Sequence, residues 1–486
     1  MRFALALVLL ASCAGGATGE SARPPNIVII LTDDQGYADV GCFGGQGVRT
    51  PNLDRMAGEG MRFTDFYVAQ AVCTASRAAL MTGCYPNRVG LQGALNHQSP
   101  IGIHEDEVLV PEQCRSRGYA TAAYGKWHLG CQPKFMPTRH GFDEFFGIPY
   151  SNDNGPLHPT MRGLPPLPLY DGEKVIESDP DQRLLTRRIT EHAVSFIERN
   201  RARSFFLYVP HVMPHIPVHA SDAFRGKSAR GLYGDAIEEL DWSVGEILDA
   251  LRRNGVDRQT LVVFFSDNGP NLSYGTHAGR AEPFREGKLT TWDGGMRSPF
   301  IARWPGRIPA GRLCREPLMS IDLYPTIARL VGATLPSRTI DGLDILPILE
   351  GRAEARSPHE ALYFYAGEEL QAVRSGDWKL HFVHDYLTPA GPPRSDGKPA
   401  NFENMKPESM SESGIRGIAS RHGYKVERTP AALYDLRTDP GEAQDVSAGH
   451  PDVVRRLQEF AEKARADLGD TLTGRKGSGV RAPGRL

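Results

Sequence analysis

The chain has 486 residues, of which 40% are hydrophobic and 23% are charged, and its formal net charge at pH 7 is -2. This is the composition of an ordinary globular protein, and the length suits one large domain together with a smaller one. The nearly balanced charge excludes a global electrostatic attraction to nucleic acid or to an anionic membrane surface. We therefore expect no nucleic-acid partner.

The first residues have the order of an export signal, with a charge at Arg2, an apolar run over 4–11 and small residues over 12–19. The apolar run is too short for a transmembrane helix, which predicts a signal peptide over 1–19 rather than a buried first strand or helix. Residues 10–13 also match a bacterial lipoprotein signal that ends before Cys13, which would then carry a lipid anchor. Plain cleavage nearby fits equally well. The protein is expected to be periplasmic, an outer-membrane lipoprotein or secreted, and lysosomal-like in a eukaryote.

Seven cysteines are present, at positions 13, 42, 73, 84, 114, 131 and 314. Their spacing shows no zinc-binding pattern, and export would permit one or two disulfides whose pairing the sequence does not specify. The last residues, 471–486, are polar, glycine-rich and basic. That composition predicts a disordered tail rather than a binding arm.

Strand and helix patterns alternate over residues 24–351. Apolar runs over 26–31, 205–209 and 261–265 lack polar alternation, which is typical of strands buried on both faces of a parallel sheet. Apolar residues recur at helical spacing over 184–196 and 237–251. We predict an α/β catalytic domain over 24–351, with a large doubly wound, mostly parallel sheet flanked by helices.

The pattern changes after Gly351. Residues 363–365, 378–383 and 433–436 predict short strands, a polar loop covers 388–429, and a helix is predicted over about 451–468. These elements predict a smaller C-terminal subdomain over 352–470, formed by an antiparallel sheet and a helix.

Acidic and amide side chains follow two of the predicted buried strands. Asp33 and Asp34 follow the first strand, and Asp267 and Asn268 follow the strand over 261–265. Ligands bind at the carboxyl ends of the strands in such sheets. An all-oxygen set suits Ca²⁺ or Mg²⁺ rather than zinc. Either motif alone is also typical of a turn, but its occurrence after both strands favours a metal site.

Cys73 begins the run Cys-Thr-Ala-Ser-Arg, which small and helix-forming residues follow. A helix that starts near Cys73 would offer backbone N–H groups to an anion. The planar guanidinium of Arg77 suits a tetrahedral oxyanion. The alternative for Cys73 is a buried structural cysteine.

Further cations and proton carriers follow other predicted strands. Lys126 and His128 come after the apolar run over 119–124, and His215 comes after the strand over 205–209. Lys288 lies in a loop bounded by glycines. Together with an oxygen-ligated metal, these side chains suit electrostatic stabilisation and proton transfer on an anionic ester.

Two motifs resemble those of a known family. Residues 73–77, continuing to Gly83, match the form C-x-[PA]-x-R, and residues 118–130, GYATAAYGKWHLG, match a second signature. Over about Pro24 to Val446 the chain resembles the type I sulfatase family of the alkaline-phosphatase-like superfamily. The resemblance implies hydrolysis of aryl or carbohydrate sulfate monoesters to alcohol plus sulfate, with a sulfated small molecule or glycan as substrate.

The resemblance also implies a role for each matched residue. A formylglycine-generating maturation enzyme would oxidise Cys73, and the hydrated aldehyde would be the nucleophile. One Ca²⁺ per chain would be held by Asp33, Asp34, Asp267 and Asn268. Arg77 and Lys126 would stabilise the nucleophile, and His128 would remove its second proton. The substrate would be bound, and its leaving oxygen protonated, by a further set: Lys126, Ser151, His215 and Lys288.

Two positions depart from the commonest family pattern. Ala75 stands where proline is more frequent, and Asp293 stands where glutamate is usual, which could shift the loop that holds Lys288. Two alternatives stay open. One is a phosphate-ester or phosphonate hydrolase of the same fold, which a Ser or Thr at position 73 and a His-rich two-zinc set would favour. The other is a binding protein without turnover, in which Cys73 is never matured.

Overall fold

The computed structural model describes residues 23–407, 410 and 415–486. The predicted export signal and Cys13 lie outside these residues. The strands are β1 Asn26–Thr32, β2 Met61–Phe63, β3 Phe66–Tyr67, β4 Ile101–Gly102, β5 Ala120–Lys126, β6 Glu144–Ile148, β7 Pro168–Asp171, β8 Lys174–Ser178, β9 Phe205–Pro210, β10 Thr260–Ser266, β11 Phe300–Arg303, β12 Arg312–Cys314, β13 Leu318–Met319, β14 Leu362–Ala366, β15 Glu369–Ser375, β16 Trp378–His381, β17 His384–Pro389, β18 Tyr424–Thr429, β19 Ala432–Asp435 and β20 Gly484–Arg485.

The α-helices are α1 Pro51–Glu59, α2 Cys73–Thr82, α3 Pro86–Val89, α4 Val110–Ser116, α5 Leu185–Asn200, α6 Gly231–Arg253, α7 Asp293–Met296, α8 Leu323–Val331, α9 Leu346–Leu349, α10 Ile415–His422 and α11 Pro451–Leu468. None of the helices described here is long and apolar enough to span a membrane.

The largest sheet has ten strands in the order β12-β2-β11-β10-β1-β9-β5-β6-β7-β8. Its five central strands, β10, β1, β9, β5 and β6, are parallel. Antiparallel strands β11 and β7 flank them. The predicted doubly wound, mostly parallel sheet is therefore confirmed.

The sequence of β1 explains its central position. All seven of its residues are buried. Val28 and Ile30 pack into one apolar core with residues of α5 and α6. Ile27, Ile29 and Leu31 pack into a second core with residues of α4 and α8. Because helices cover both faces, the strand is apolar throughout instead of alternating with polar residues.

A second sheet lies in the C-terminal part of the chain. Its four strands are antiparallel in the order β14-β15-β16-β19, and α11 packs on it through Leu457 and Ala461. The predicted small antiparallel sheet with one helix is confirmed. The expected polar loop over 388–429 contains more structure than predicted, because β17 and β18 pair with each other and α10 precedes β18.

A buried ion network joins α7 to the C-terminal sheet. The Lys379 ammonium on β16 lies 2.7 Å from a carboxylate oxygen of Asp293 and 2.8 Å from one of Glu442, and all three side chains are fully buried. Asp293 also accepts hydrogen bonds from Tyr67 and Arg297. Its backbone N–H donates to Glu442 at 2.7 Å. The aspartate at position 293, which is shorter than the usual glutamate, is therefore held by several partners and fixes the start of α7.

The last residues, 471–486, pack against the body of the protein, which corrects the predicted disordered tail. The Arg481 guanidinium donates to both carboxylate oxygens of Glu107, at 2.7 and 2.8 Å. Strand β20 pairs with β4. Composition indicated disorder because the partners of this segment lie far away in the sequence.

Six cysteines fall within the described residues, and all six are free thiols. The one or two disulfides that export would permit are not formed among Cys42, Cys73, Cys84, Cys114, Cys131 and Cys314.

Replacing Lys379 with methionine should destabilise the fold strongly, because Asp293 and Glu442 would be left buried without their shared cation. Breaking a buried ion pair in this way costs about 3–5 kcal/mol, which urea unfolding followed by circular dichroism would measure. Adding Glu442→Gln to Lys379→Met removes one of the two carboxylates and should recover part of the loss. Wild-type stability of the single variant would contradict the role given to this network.

Replacing Arg481 with alanine should lower the free energy of unfolding by about 1–3 kcal/mol, because the Glu107 carboxylate would lose its main partner. The same urea titration measures it. Arg485, whose side chain is exposed, provides the control, and Arg485→Ala should leave stability unchanged. Equal effects of the two substitutions would argue against a specific contact by the tail.

Candidate active site

Five adjacent parallel strands end at one edge of the large sheet and deliver the predicted residues there. Asp33 and Asp34 follow β1, and Asp267 and Asn268 follow β10. Because Thr32 pairs with Ser266, the two acidic segments leave the sheet side by side. The remaining strands β5, β9 and β6 supply or precede the other polar residues at this edge: Lys126, His128, His215 and Ser151.

Arg77 and Lys126 neutralise the deepest carboxylates. The Arg77 guanidinium contacts Asp33 at 3.1 Å and Asp267 at 2.8 Å, and Lys126 Nζ lies 2.5 Å from Asp33 Oδ2. All four side chains are fully buried. Burial alone would raise the pKa of the Asp33 carboxyl, but Lys126, His215 and Arg77 outweigh burial and hold that pKa well below its usual range. Asp33 is therefore ionised.

Lys288 supplies a third cation from a loop before α7. Its Nζ lies 2.7 Å from Asp34 Oδ1 and donates to Cys73 Sγ at 3.4 Å. Asp34, His128 and Leu289, which follows Lys288, each have a positive φ, between 62° and 73°. Such backbone conformations are unfavourable for residues other than glycine, and they cluster at functional sites. Lys288 therefore lies at the site although Asp293 stands where glutamate is usual in the family.

Asn268 offers an oxygen that suits a cation. Its amide nitrogen donates to Asp34 Oδ1 at 2.7 Å and to the Gly269 carbonyl at 2.9 Å. Both contacts are to acceptors, so they fix the amide orientation. The remaining Asn268 Oδ1 is buried without a hydrogen-bond partner. A buried unpaired oxygen beside carboxylates fits a hard metal ion.

Cys73 is the first residue of α2 and is only 2% exposed. Its sulfur lies 3.6 Å from Asp33 Oδ1. Ligand atoms of Asp33, Asp34, Cys73 and His215 all lie within 4.8 Å of one another. Burial, the largest influence, raises the pKa of the Cys73 thiol to about 12 despite Lys126 and Lys288. An unmodified thiol here would stay protonated at neutral pH and would be a poor nucleophile.

His128 is poised as a proton acceptor. Its Nε2 lies 2.6 Å from the Leu95 carbonyl oxygen, which can only accept, so Nε2 carries the proton. Its Nδ1 then has a free lone pair, and this atom is buried without a partner. Burial and the neighbouring charge of Lys126 lower the pKa of His128 well below its ordinary value. The ring is therefore neutral and can take a proton at Nδ1.

His215 faces the site through its other nitrogen. Its Nδ1 lies 2.5 Å from the Ile216 carbonyl oxygen and 3.0 Å from Asn152 Oδ1, both acceptors. Nε2 lies 3.2 Å from Ser151 Oγ and 3.6 Å from Asp34 Oδ2. Nε2 is therefore the atom that exchanges protons with a bound molecule. Ser151 also accepts from Lys126 Nζ at 2.9 Å, which ties these groups together.

Sequence reasoning missed four polar residues beside this site. Asn152 orients His215, and a buried cluster of Asp153, His158 and His422 lies next to it. Asn152 and Asp153 directly follow Ser151, which was the available signal. His422 lies at the end of α10, in a segment whose composition indicated only a polar loop.

The chain matches two family profiles. Residues 25–333 match the profile described as Sulfatase, and residues 357–476 match the C-terminal region of aryl-sulfatase. Human arylsulfatase A is 38% identical over 493 aligned residues, which cover 96% of this chain and 92% of that protein. N-acetylgalactosamine-6-sulfatase of Canis lupus familiaris is 43% identical, with coverage of 77% of this chain and 75% of that protein.

Solved structures agree with these matches. The PsFucS1 sulfatase from Pseudoalteromonas sp. superimposes with a TM-score of 0.78 at 28% identity, covering 91% of this chain and 90% of that one. Ps i-CgsB in complex with k-i-k-neocarrahexaose has a TM-score of 0.72 at 29% identity, covering 91% and 92%. The Sulfatase profile alone spans more than half of the sequence. The chain therefore belongs to the sulfatase family, and it is a hydrolase of sulfuric esters.

Proposed function

We propose that this chain is an exported, calcium-dependent sulfatase whose nucleophile is formylglycine made from Cys73. The observation that carries the proposal is the surroundings of Cys73: a buried thiol of raised pKa beside a carboxylate-rich set and two lysines. A thiol held protonated is unsuited to attack on an ester, whereas the same position is well placed for a modified side chain near a metal ion.

Asp33, Asp34, Asp267 and Asn268 would hold Ca²⁺, as the unpaired Asn268 Oδ1 supports. When bound, the ion would supply positive charge to a sulfate oxygen, and formylglycine would supply a hydroxyl nucleophile. All ligands are oxygens, which favours calcium over zinc and disfavours the two-zinc arrangement of a phosphate-ester hydrolase.

Charge balance supports the binding of an anionic ester. The three carboxylates of the set are matched by Arg77, Lys126 and Lys288. The charge of a bound divalent ion would then attract the sulfate. Lys126, Ser151 and His215 form one hydrogen-bonded group, and Lys288 donates to Cys73 Sγ. Their N–H and O–H groups would hold the sulfate oxygens and stabilise the charge that develops on them.

Proton transfer is divided between two histidines. His215 keeps one proton on Nδ1, against the Ile216 and Asn152 oxygens, so Nε2 must first bind a second proton; the imidazolium formed in this way beside Asp34 would donate that proton to the leaving alcohol oxygen. His128 Nδ1, which has no other partner, would accept the proton of the nucleophile's second hydroxyl so that sulfate is expelled. Arg77 does not titrate and acts by holding two carboxylates in place.

Processing and location complete the proposal. A formylglycine-generating enzyme would act on the segment around Cys73, and the signal over 1–19 would direct export, with Cys13 as the point of lipid attachment if the lipoprotein signal is used. The substrate is a sulfated small molecule or glycan.

The decisive experiment is the mass of the tryptic peptide that contains Cys73, from protein made in its native host, together with sulfate release from a chromogenic aryl sulfate. Formylglycine lowers the mass by about 18 Da relative to cysteine. We expect that mass and turnover in the wild type. Cys73→Ala should abolish turnover, since no nucleophile can be formed. An unmodified thiol in an active enzyme would overturn the proposal.

Asp267→Ala should lose both calcium and activity, because it removes a ligand and one partner of Arg77. Metal content by inductively coupled plasma mass spectrometry and aryl sulfate turnover measure the two effects. Asp222→Ala is the control, since the Asp222 side chain is 84% exposed. Chelation should reduce wild-type turnover and added Ca²⁺ should restore it. Full activity of Asp267→Ala in chelator would exclude the metal assignment.

A further inference from the structure

A second buried cluster lies beside the candidate active site. Ligand atoms of Asp153, His158 and His422 lie within 4.8 Å of one another, and each residue is at most 6% exposed. Asp153 and His158 belong to the segment after β6, and His422 ends α10. Asn152, the residue before Asp153, accepts the hydrogen bond of His215. The cluster therefore adjoins the histidine that faces the leaving alcohol in the proposed function.

The protonation of His158 is set by the backbone. Its Nδ1 accepts hydrogen bonds from the N–H groups of Thr160 and Met161, at 3.1 and 3.0 Å. An amide N–H can only donate, so Nδ1 carries no proton and the neutral ring carries it on Nε2. Nε2 lies 3.9 Å from Asp153 Oδ2 and is buried without a hydrogen-bond partner.

The protonation of His422 is set by a tyrosine. The Tyr274 hydroxyl lies 2.6 Å from His422 Nδ1. Burial raises the pKa of Tyr274 well above its usual value, so the hydroxyl keeps its proton and can donate it to Nδ1. The Asp153 carboxylate, whose Oδ2 lies 3.8 Å from His422 Nε2, favours the tautomer with the proton on Nε2, and Nδ1 then accepts from Tyr274.

This pattern disfavours a metal ion although the residue types suit one. A metal binds the lone pair of an imidazole nitrogen. For His158 to offer that lone pair at Nε2, its proton would have to move to Nδ1, against two backbone N–H groups. The cluster instead presents two N–H donors and one carboxylate acceptor.

Two donors and one acceptor are the complement of a single hydroxyl group, which accepts two hydrogen bonds and donates one. The three atoms are too far apart to bond each other directly. An oxygen atom could lie about 2.8 Å from all three, an ordinary hydrogen-bond distance. From this geometry we infer that Asp153, His158 and His422 bind a hydroxyl group of the leaving alcohol, which makes a sugar or other polyol sulfate the preferred substrate class.

Exposure and charge agree with this inference, which rests on the proposed sulfatase site. The side chains of Asp153 and His422 are 7% and 8% exposed, like those of Lys288 and His215 at 5% and 4%. Asp33 is fully buried. Asp153 and His422 are thus about as accessible as the groups assigned to sulfate. Burial also lowers the pKa of His158 and that of His422, which keeps both rings neutral.

The test compares substrates with and without a hydroxyl. Matured enzyme is assayed with 4-nitrophenyl sulfate, with the 6-sulfate of a methyl N-acetylgalactosaminide, and with the monodeoxy analogues of that sugar. Because a site built to bind a hydroxyl rejects the analogue that lacks it, one deoxy position should lower kcat/KM by roughly 100-fold, the cost of leaving buried polar groups unpaired. The other position should matter little.

Asp153→Asn and His422→Phe should each lower kcat/KM for the sugar sulfate at least about tenfold and change that for the aryl sulfate less than about threefold. In both variants the sensitive deoxy sugar should no longer be much worse than its parent. Asp452→Asn on the exposed face of α11 is the control and should leave both substrates unaffected. The mass of the Cys73 peptide is checked in every variant.

Three results would overturn the inference. One is an equal fall in kcat/KM for the aryl and the sugar sulfate in the variants. Another is a wild-type enzyme that cleaves the aryl sulfate but either does not cleave the sugar sulfate or cleaves every deoxy analogue as well as the parent. The third is binding of Zn²⁺ alone, by calorimetry, that Asp153→Asn abolishes. Failure of the matured wild type on all sulfates would instead reject the proposed function.

Discussion

The contact between Arg77 and two buried carboxylates is the interaction on which the site depends. Asp33 and Asp267 follow neighbouring strands, so they approach each other where no water screens their repulsion. A single guanidinium contacts both. Removing a partner from a buried ion pair leaves an uncompensated charge, which costs more than the pair itself contributes. Arg77 therefore stabilises the fold at this edge of the large sheet, apart from any role in catalysis.

Much of the site could be predicted because its residues follow buried strands. Continuous apolar runs identified β1, β9 and β10, and the turns after them contain Asp33, His215 and Asp267. The order of the strands was not readable, since it depends on pairing between distant segments. The family motifs indicated that these residues belong to one active site, which hydrophobic periodicity alone could not show. The structure brings the residues to one edge of the sheet.

Other features depended on long-range contacts that no local pattern records. The tail was predicted to be disordered because its composition is polar, yet Arg481 has a buried partner 374 residues earlier. His422 lies in a segment with little apolar content, and it reaches the site because α10 and β18 pack beside the loop that contains Ser273 and Tyr274. The aspartate at position 293 could be noticed in the sequence, but the contacts that hold it became clear only from Lys379 on β16 and Glu442 in the loop after β19.

The burial of Cys73 has a consequence for how an active molecule can be made. Every residue of α2 is buried, and Cys73 is 2% exposed. In the proposed scheme a separate enzyme must reach this sulfur, so modification has to precede the packing of α2 between the two sheets. Folding and the modification of Cys73 would therefore compete for the same newly synthesised chain. In that scheme a molecule that folds before modification keeps its thiol buried and stays inactive, so the active fraction of a preparation would report which of the two processes is faster.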